Sequence, residues 1–303
     1  MELTDFTEKA IAEGLFGLAK KHRNLVVLQS DFAGQISFTK FGLSFPERLF
    51  HFGLMESNIA SVAAGFAIRG KVPFLVGFAN VFTQKAWSSI NESICLPNFN
   101  IKIIGVAEPF RSISDIALMR ALPNMKVLCP SSFEEILEAI SYAYMEYGPV
   151  YIRLSLSVMG QFSGKTAEGE VNSFRNFSVL NEGTDLNVLS FGFMADESLK
   201  AAQFLTEKGK SAKVINVRGL KPMHREELLG LLLPGKKCVT VEDHSLIGGL
   251  YSAVCEGLGG DGIPVHGFGL PDTFVEDGNM TEICQKYGLD SRSLTEKWLN
   301  LLG

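Results

Sequence analysis

The chain has 303 residues, 46% hydrophobic and 20% charged, with a net charge of −5. That length exceeds one ordinary domain and suits two, each with enough apolar residues for its own core. Both charge signs are scattered and no basic run occurs, which argues against a nucleic-acid surface, and no apolar run approaches the roughly 20 residues that span a bilayer. The first residues, MELTDFTEKAIAEGLF, are acidic and amphipathic, unlike the basic start and apolar core of a secretion signal, so the chain reads as cytoplasmic. Their spacing predicts a helix from Thr4 to Lys21. LVVLQSD (25–31) then reads as a short strand ending in a polar residue. PFLVGF (73–78), IKIIGVA (101–107), KVLCP (126–130) and VYIRLS (150–155) repeat that form. Helices are predicted between them: Asn58 to Arg69, Thr83 to Ile94, Ile113 to Ala121 and Ser132 to Tyr147. The last opens SSFEEILEAI, with Ser132 at the N-cap and Glu135 three residues on.

Residues 160–185 change character, becoming polar and glycine-rich, and read as a connection with room for a short hairpin. A second alternating set follows: LNVLSFG (186–192), AKVINVR (212–218), KCVTVED (237–243) and PVHGFG (264–269). Apolar strands alternating with helices imply parallel sheets covered on both faces. The expected fold is α/β, two consecutive open parallel-sheet domains: 1–158, a connection 159–185, and 186–303. In such sheets ligands sit beyond the carboxyl ends of the strands. That places Ser30–Asp31, Gly77–Phe78 and Val106–Glu108 on one rim.

The five cysteines are widely spaced without a CxxC and read as buried free thiols, and the five histidines show no metal-ligand spacing. GGDGIP at 259–264 reads as a turn before a strand, and no GxxxxGK[ST] phosphate loop is present. One carboxylate stands out. In HFGLMESNIASVAAGFAIRG (51–70), Glu56 heads a run of small and apolar residues at a predicted helix start, where the helix dipole favours an acidic group.

These segments together resemble the C-terminal section of the transketolase family, which includes deoxyxylulose-phosphate synthase. The likeness runs through SFPERLFHFGLMESN, VAAGFAIRGKVPF, FANVFTQKAW, SICLPNFNIKIIG and DIALMRALPNMKVL, then GPVYIRLS, VEDHSLIGGL and GLPDTFVEDG. It covers essentially the whole chain. The resemblance implies a thiamine diphosphate-type pyrimidine-binding domain followed by a transketolase C-terminal domain. It implies that Glu56 contacts the aminopyrimidine ring nitrogen of thiamine diphosphate. A carboxyl group in an apolar pocket has a raised pKa and can share a proton with such a nitrogen. Phe78 matches the aromatic that stacks on the aminopyrimidine. Asp31 matches an aspartate near the cationic thiazolium, where a negative charge offsets it. Val81 stands where a second stacking aromatic is usual, with Phe82 adjacent. Asp243–His244 reads as structural or interfacial. The family's diphosphate and Mg²⁺ site lies in its N-terminal domain. The resemblance therefore implies a partner chain carrying that site and a GDG…N motif, assembled with this one as α₂β₂.

Departures from the family point at the substrate. After the strand matching IKIIG, the usual long loop with its histidines and acidic turn is shortened by about ten residues, and the chain runs directly from GVAEPF to RSISDIALMR. Leu156 stands where an arginine holds sugar phosphate, and Gln35 where a serine is usual. A bidentate arginine contributes strongly to phosphate binding and leucine cannot replace it. Glu108 and Arg111 in the shortened loop are candidate substitutes. The expected function is a split, transketolase-like ketol or acyl transfer, or carboligation, from a ketose or 2-oxo donor to an aldehyde acceptor. The sugar-phosphate contacts are altered, and no nucleic acid or membrane is involved. Two alternatives stand beside it: the β subunit of a 2-oxo-acid dehydrogenase, and a non-catalytic scaffold or regulatory subunit.

Overall fold

The structure is a computed structural model and describes residues 4–30, 36–53, 55–107, 110–155, 174–276 and 280–303, with Thr4, Asp5, Glu56 and Met280 described by their backbone alone. The first half begins with α1 (Thr4–Lys21), β1 (Leu25–Gln29), α2 (Thr39–Ser44), β2 (Leu49–His51), α3 (Glu56–Ile68) and β3 (Val72–Phe78). It continues with α4 (Trp87–Ile90), β4 (Lys102–Ala107), α5 (Asp115–Ala121), β5 (Lys126–Leu128), α6 (Phe133–Met145) and β6 (Val150–Ser155). The second half holds β7 (Phe177–Asn181), β8 (Leu186–Ser190), α7 (Phe193–Glu207), β9 (Ala212–Val217), β10 (Gly219–Lys221) and α8 (Arg225–Leu231). It ends with β11 (Cys238–Ser245), α9 (Leu250–Gly257), β12 (Val265–Leu270), α10 (Met280–Tyr287) and α11 (Ser291–Leu302).

Two sheets form. The first has the order β10-β5-β6-β4-β3-β1-β2 and the second β12-β11-β8-β9-β7. Pairing is parallel except at β10, antiparallel to β5, and at β7, antiparallel to β9. The central strands β1, β4 and β6 are buried along their whole length, as their unbroken apolar runs require when helices cover both faces. The fold is thus the expected α/β pair of mostly parallel sheets.

Three local features differ from the sequence expectation. Part of the polar connection, Phe177–Asn181, forms β7. The helix expected over 83–94 breaks into a wide π turn at Val81–Lys85, the short α4, and a second π turn at Asn91–Cys95. β10 leaves the second half to complete the first sheet, with Gly219 opposite Leu128 and Lys221 opposite Val127.

That crossing strand belongs to a continuous interface. One apolar cluster holds Val26, Leu28, Ile59, Leu75, Phe82 and Ile103 from the first half together with Leu189, Phe191, Ile215, Leu220 and Leu250 from the second. Burying a side chain of this size contributes about 1.5–3 kcal/mol, so the two halves share much of their stabilisation. A second cluster lies on the opposite face of the first sheet under α1 and α6. A third fills the second half around Val188, Val241 and Trp298.

Candidate functional site

The rim predicted from the parallel topology is formed by the carboxyl ends of β1 and β3. Ser30 continues β1, and its N–H donates to the Val76 carbonyl at 3.1 Å. Gly77 stands opposite, and a Cβ on it would lie 2.5 Å from Ser30 Oγ and 3.2 Å from the Phe82 ring. Glycine is therefore what lets β1, β3 and Phe82 close together here. Phe78, the last residue of β3, is half-buried. Val81 is 6% exposed and Phe82 fully enclosed, both within the π turn that follows. Such turns add one residue to the helical repeat and occur often at functional sites. Thr83 Oγ1 donates to the Ala79 carbonyl at 2.9 Å and holds the turn to the end of β3.

α3 starts at Glu56, two residues before the expected start, with Met55 as an N-cap that offers no side-chain bond. Ser57 Oγ donates to the Lys85 carbonyl at 2.6 Å, tying this helix start to the end of the π turn. So the backbone brings Glu56, Phe78, Val81 and Phe82 to one end of one sheet. Asp31, Gln35, Glu108 and Leu156 lie outside the described residues. Arg111 is exposed in the loop after β4. Among the described residues, two buried polar atoms at this rim, Ser30 Oγ and Asn80 Oδ1, find no hydrogen-bond partner. On the same end of the sheet a cleft of about 530 Å³ opens, lined by Gln29, Ser30, Ile36, Ser37, Thr39 and His51. Sequence reasoning placed Ser30 and Gly77 on this rim but not their close approach to each other, and it passed over Ser57.

Behind the rim the two halves meet through buried charges. Tyr151 Oη donates to Asp115 Oδ2 at 2.8 Å, Arg153 Nε donates to the same oxygen at 3.1 Å, and Arg153 Nη1 donates to Asp243 Oδ1 at 2.9 Å. Burial depresses the His244 imidazole below its usual pKa, favouring the neutral ring. Burial also pushes the Glu242 carboxyl up to about 8, against the N–H groups of Tyr251 and Leu250 that bond its oxygens. Asp243 and His244 are both fully buried.

Four of the five cysteines are buried, and burial pushes the thiols of Cys95, Cys238 and Cys284 up to about 12, so they are unreactive. Among the described residues no group of three or more His, Cys, Asp and Glu is placed to hold a metal ion, and no helix is long and apolar enough to cross a membrane. Residues 257–262 spell G-x-G-x-x-G. They close α9 and lead toward β12, the reverse of the strand–turn–helix order that a phosphate-binding fingerprint needs.

Comparison with known proteins follows the same two halves. The family "Transketolase, pyrimidine binding domain" matches residues 6–160, and "Transketolase, C-terminal domain" matches residues 176–294. This chain belongs to the transketolase family. Within it, the chain is 33% identical over 301 residues to a putative transketolase C-terminal section of Methanocaldococcus jannaschii, covering 95% of this chain and 94% of that one. It is 31% identical over 291 residues to a 6-deoxy-6-sulfo-D-fructose transketolase subunit of a Clostridium species, covering 92% and 89%. Deoxyxylulose-phosphate synthase of Pelotomaculum thermopropionicum matches at 31% over 283 residues, but the match spans only 44% of that enzyme. Among solved structures, a split-gene transketolase in an inactive β4 tetramer superposes with a TM-score of 0.88 at 36% identity, covering 98% of this transketolase-family chain and 99% of that one. Transketolase of Campylobacter jejuni shares the fold, with a TM-score of 0.77 at 19% identity, over 46% of its length.

Proposed function

We propose that this chain is the pyrimidine-binding subunit of a two-chain transketolase dependent on thiamine diphosphate. It turns over only with a partner that carries the diphosphate and Mg²⁺ site. The observation that carries this reading is the rim itself. Phe78 ends β3 beside a glycine that removes side-chain bulk, and the start of α3 at Glu56 is tied to the same turn by Ser57. The residues fit the pyrimidine end of the cofactor. An aromatic ring stands at the strand end, the wall is apolar, and two buried polar atoms find no partner among the described residues. The relatives that match over about nine tenths of both chains are described as a section and a subunit, and the split-gene relative is inactive as a β4 tetramer. We read this chain as one that likewise self-associates without turnover until its partner joins, in an α₂β₂ assembly.

When bound, thiamine diphosphate supplies a carbon nucleophile for ketol or acyl transfer. This chain's residues position it and manage a proton. Phe78 stacks on the aminopyrimidine, with Val81 and Phe82 supporting the turn beneath. Glu56 holds a proton at the ring nitrogen, and Asp31 offsets the positive ring. On the substrate side Leu156 offers no phosphate grip, so Gln35, Glu108 and Arg111 are the polar contacts left to this chain. The substrate class is a ketose or 2-oxo donor and an aldehyde acceptor, held differently from the usual sugar phosphates.

The test is Glu56→Gln in the assembled enzyme. Glutamine keeps the size and cannot share the proton. Hydrogen–deuterium exchange at thiamine C2 falls by about 100-fold or more, with the melting temperature little changed. Exchange at the wild-type rate would remove Glu56 from the mechanism.

A further inference from the structure

The loop after β4 is short in this chain, and the structure ties its second part to the other half of the molecule. Phe110 is 1% exposed and sits in the apolar core of the second half, with Leu186, Val188, Phe193, Met194 and Val241. Ile113 packs against the same cluster; among the described residues, these two are its only members from before residue 180. Phe110 takes a φ of +62°, a left-handed conformation unfavourable for a bulky side chain, which persists only where its surroundings over-determine it. The segment is pinned again one turn later. Ser245 N–H, from the end of β11, donates to the Ile113 carbonyl at 3.2 Å. Asp115, at the start of α5, is held by Tyr151 and Arg153, and Gly248 approaches Ala117 so closely that a Cβ would lie 2.5 Å from that side chain.

The strand that leads to the pinned segment ends beside the candidate site. β4 pairs with β3 in the register Val106 opposite Phe78, so β4 ends one residue beyond the neighbour of the stacking aromatic. A loop in that place either closes over a substrate or stands as a fixed wall. An aromatic anchor buried in a second core, with two further attachments, is the construction of a wall.

We propose that Phe110 is a positioning residue. Its ring, socketed in the second half, fixes residues 110–114 as a static wall on the substrate side of Phe78, so the second half shapes the substrate pocket as well as the assembly. The proposal rests on the reading above for what the wall faces, and on the contacts of this chain alone for its being fixed. Arg111, exposed on the wall, is carried at a set position and not delivered by loop closure.

Phe110→Ala and Phe110→Leu test it in the full chain. With trypsin under native conditions, well below the melting temperature, the wild type resists cleavage after Arg111. Phe110→Ala is cut there about 100-fold faster, while its other sites keep the wild-type rate. Phe110→Leu, which refills most of the socket, stays within about ten-fold of wild type. In the assembled enzyme Phe110→Ala raises KM for the acceptor by about ten-fold, with a smaller change in kcat and unchanged affinity for thiamine diphosphate. Fast cleavage after Arg111 in the wild type overturns the proposal. So does parallel acceleration at every site in Phe110→Ala, or an unchanged KM. Absence of turnover in the wild-type assembly overturns the two-chain reading and the substrate role with it, while the cleavage rates still decide whether Phe110 fixes the segment.

Discussion

At Gly77 a single missing methyl group decides how closely the rim can be built. An added Cβ would meet Ser30 Oγ at 2.5 Å, with the Phe82 ring behind it. Gly77→Ala is therefore expected to cost about 1–3 kcal/mol and to weaken thiamine diphosphate binding by the assembly, because β3 must shift beneath Phe78. Ser30→Ala in the same chain restores part of the stability by removing the nearest atom; denaturant unfolding of the wild type and these two variants checks this. Lys102 supplies a pH-dependent case. It lies fully buried in β4, where Nζ donates to the Glu146 and Gly148 carbonyls at 2.7 Å each, just beyond the end of α6. Burial, with Lys126 nearby, lowers its pKa to about 7 from an unfolded value of 10.5. Between those values the unfolded chain binds more protons, so this group makes stability rise with pH through that window, and the penalty of burying the charge is fully present below pH 7. Lys102→Met lacks the rise. Measured by unfolding from pH 7 to 10, the variant loses ground to the wild type as pH increases; a constant difference would contradict the assignment. At this scale the sequence pointed to Glu56 and Phe78, the residues to which the proposed function gives the chemistry, and the fold brings their backbones to one end of the first sheet. The sequence named Ser30 and Gly77 on the rim but hid what depends on who faces them, their contact across a strand pair and the place of Phe110 in a foreign core.

Elements were legible where their pattern is local. The helix over Thr4–Lys21 and the apolar strands around 25–29, 73–78, 102–107 and 150–155 follow from period and composition. β2, three residues long and half-exposed, carries too little pattern to read. β10 is equally short, and its partner β5 lies about ninety residues away, so only the tertiary fold defines it. The expected helix over 83–94 failed as one piece because π turns insert a residue and shift the apolar face without altering composition. The start of α6 was readable from SSFEE. Ser132 Oγ accepts from Glu135 N–H at 3.2 Å, as an N-cap should. The Glu135 carboxylate turns instead to Ser131 N–H at 2.8 Å and to Asn216 and Arg218 of the second half. Cap and interface therefore share one residue. Ser132→Ala is expected to cost about 1 kcal/mol, the ordinary loss of a cap, whereas Glu135→Ala costs more because it removes the buried carboxylate that Arg218 and Asn216 share. Equal losses for the two, measured by denaturant unfolding, would show that the interface contacts add nothing.

Across the whole molecule the two sheets behave as one body, since β10, the shared apolar cluster and the Asp115–Arg153–Asp243 chain all cross between them. The sequence made two α/β units visible and left their union unseen, because each crossing contact joins residues far apart in the chain. That union bears on function. The candidate half-pocket stands on the first sheet, while the second half holds the loop beside it. The account makes this chain one half of a shared site, complete only across a subunit boundary. The most direct test is calorimetric titration with thiamine diphosphate and Mg²⁺ of this chain alone and of its complex with a transketolase N-terminal-section subunit. The account predicts heat of saturable binding in the complex and none in the isolated chain. Equal binding by the chain alone, or no binding by the complex, would contradict it.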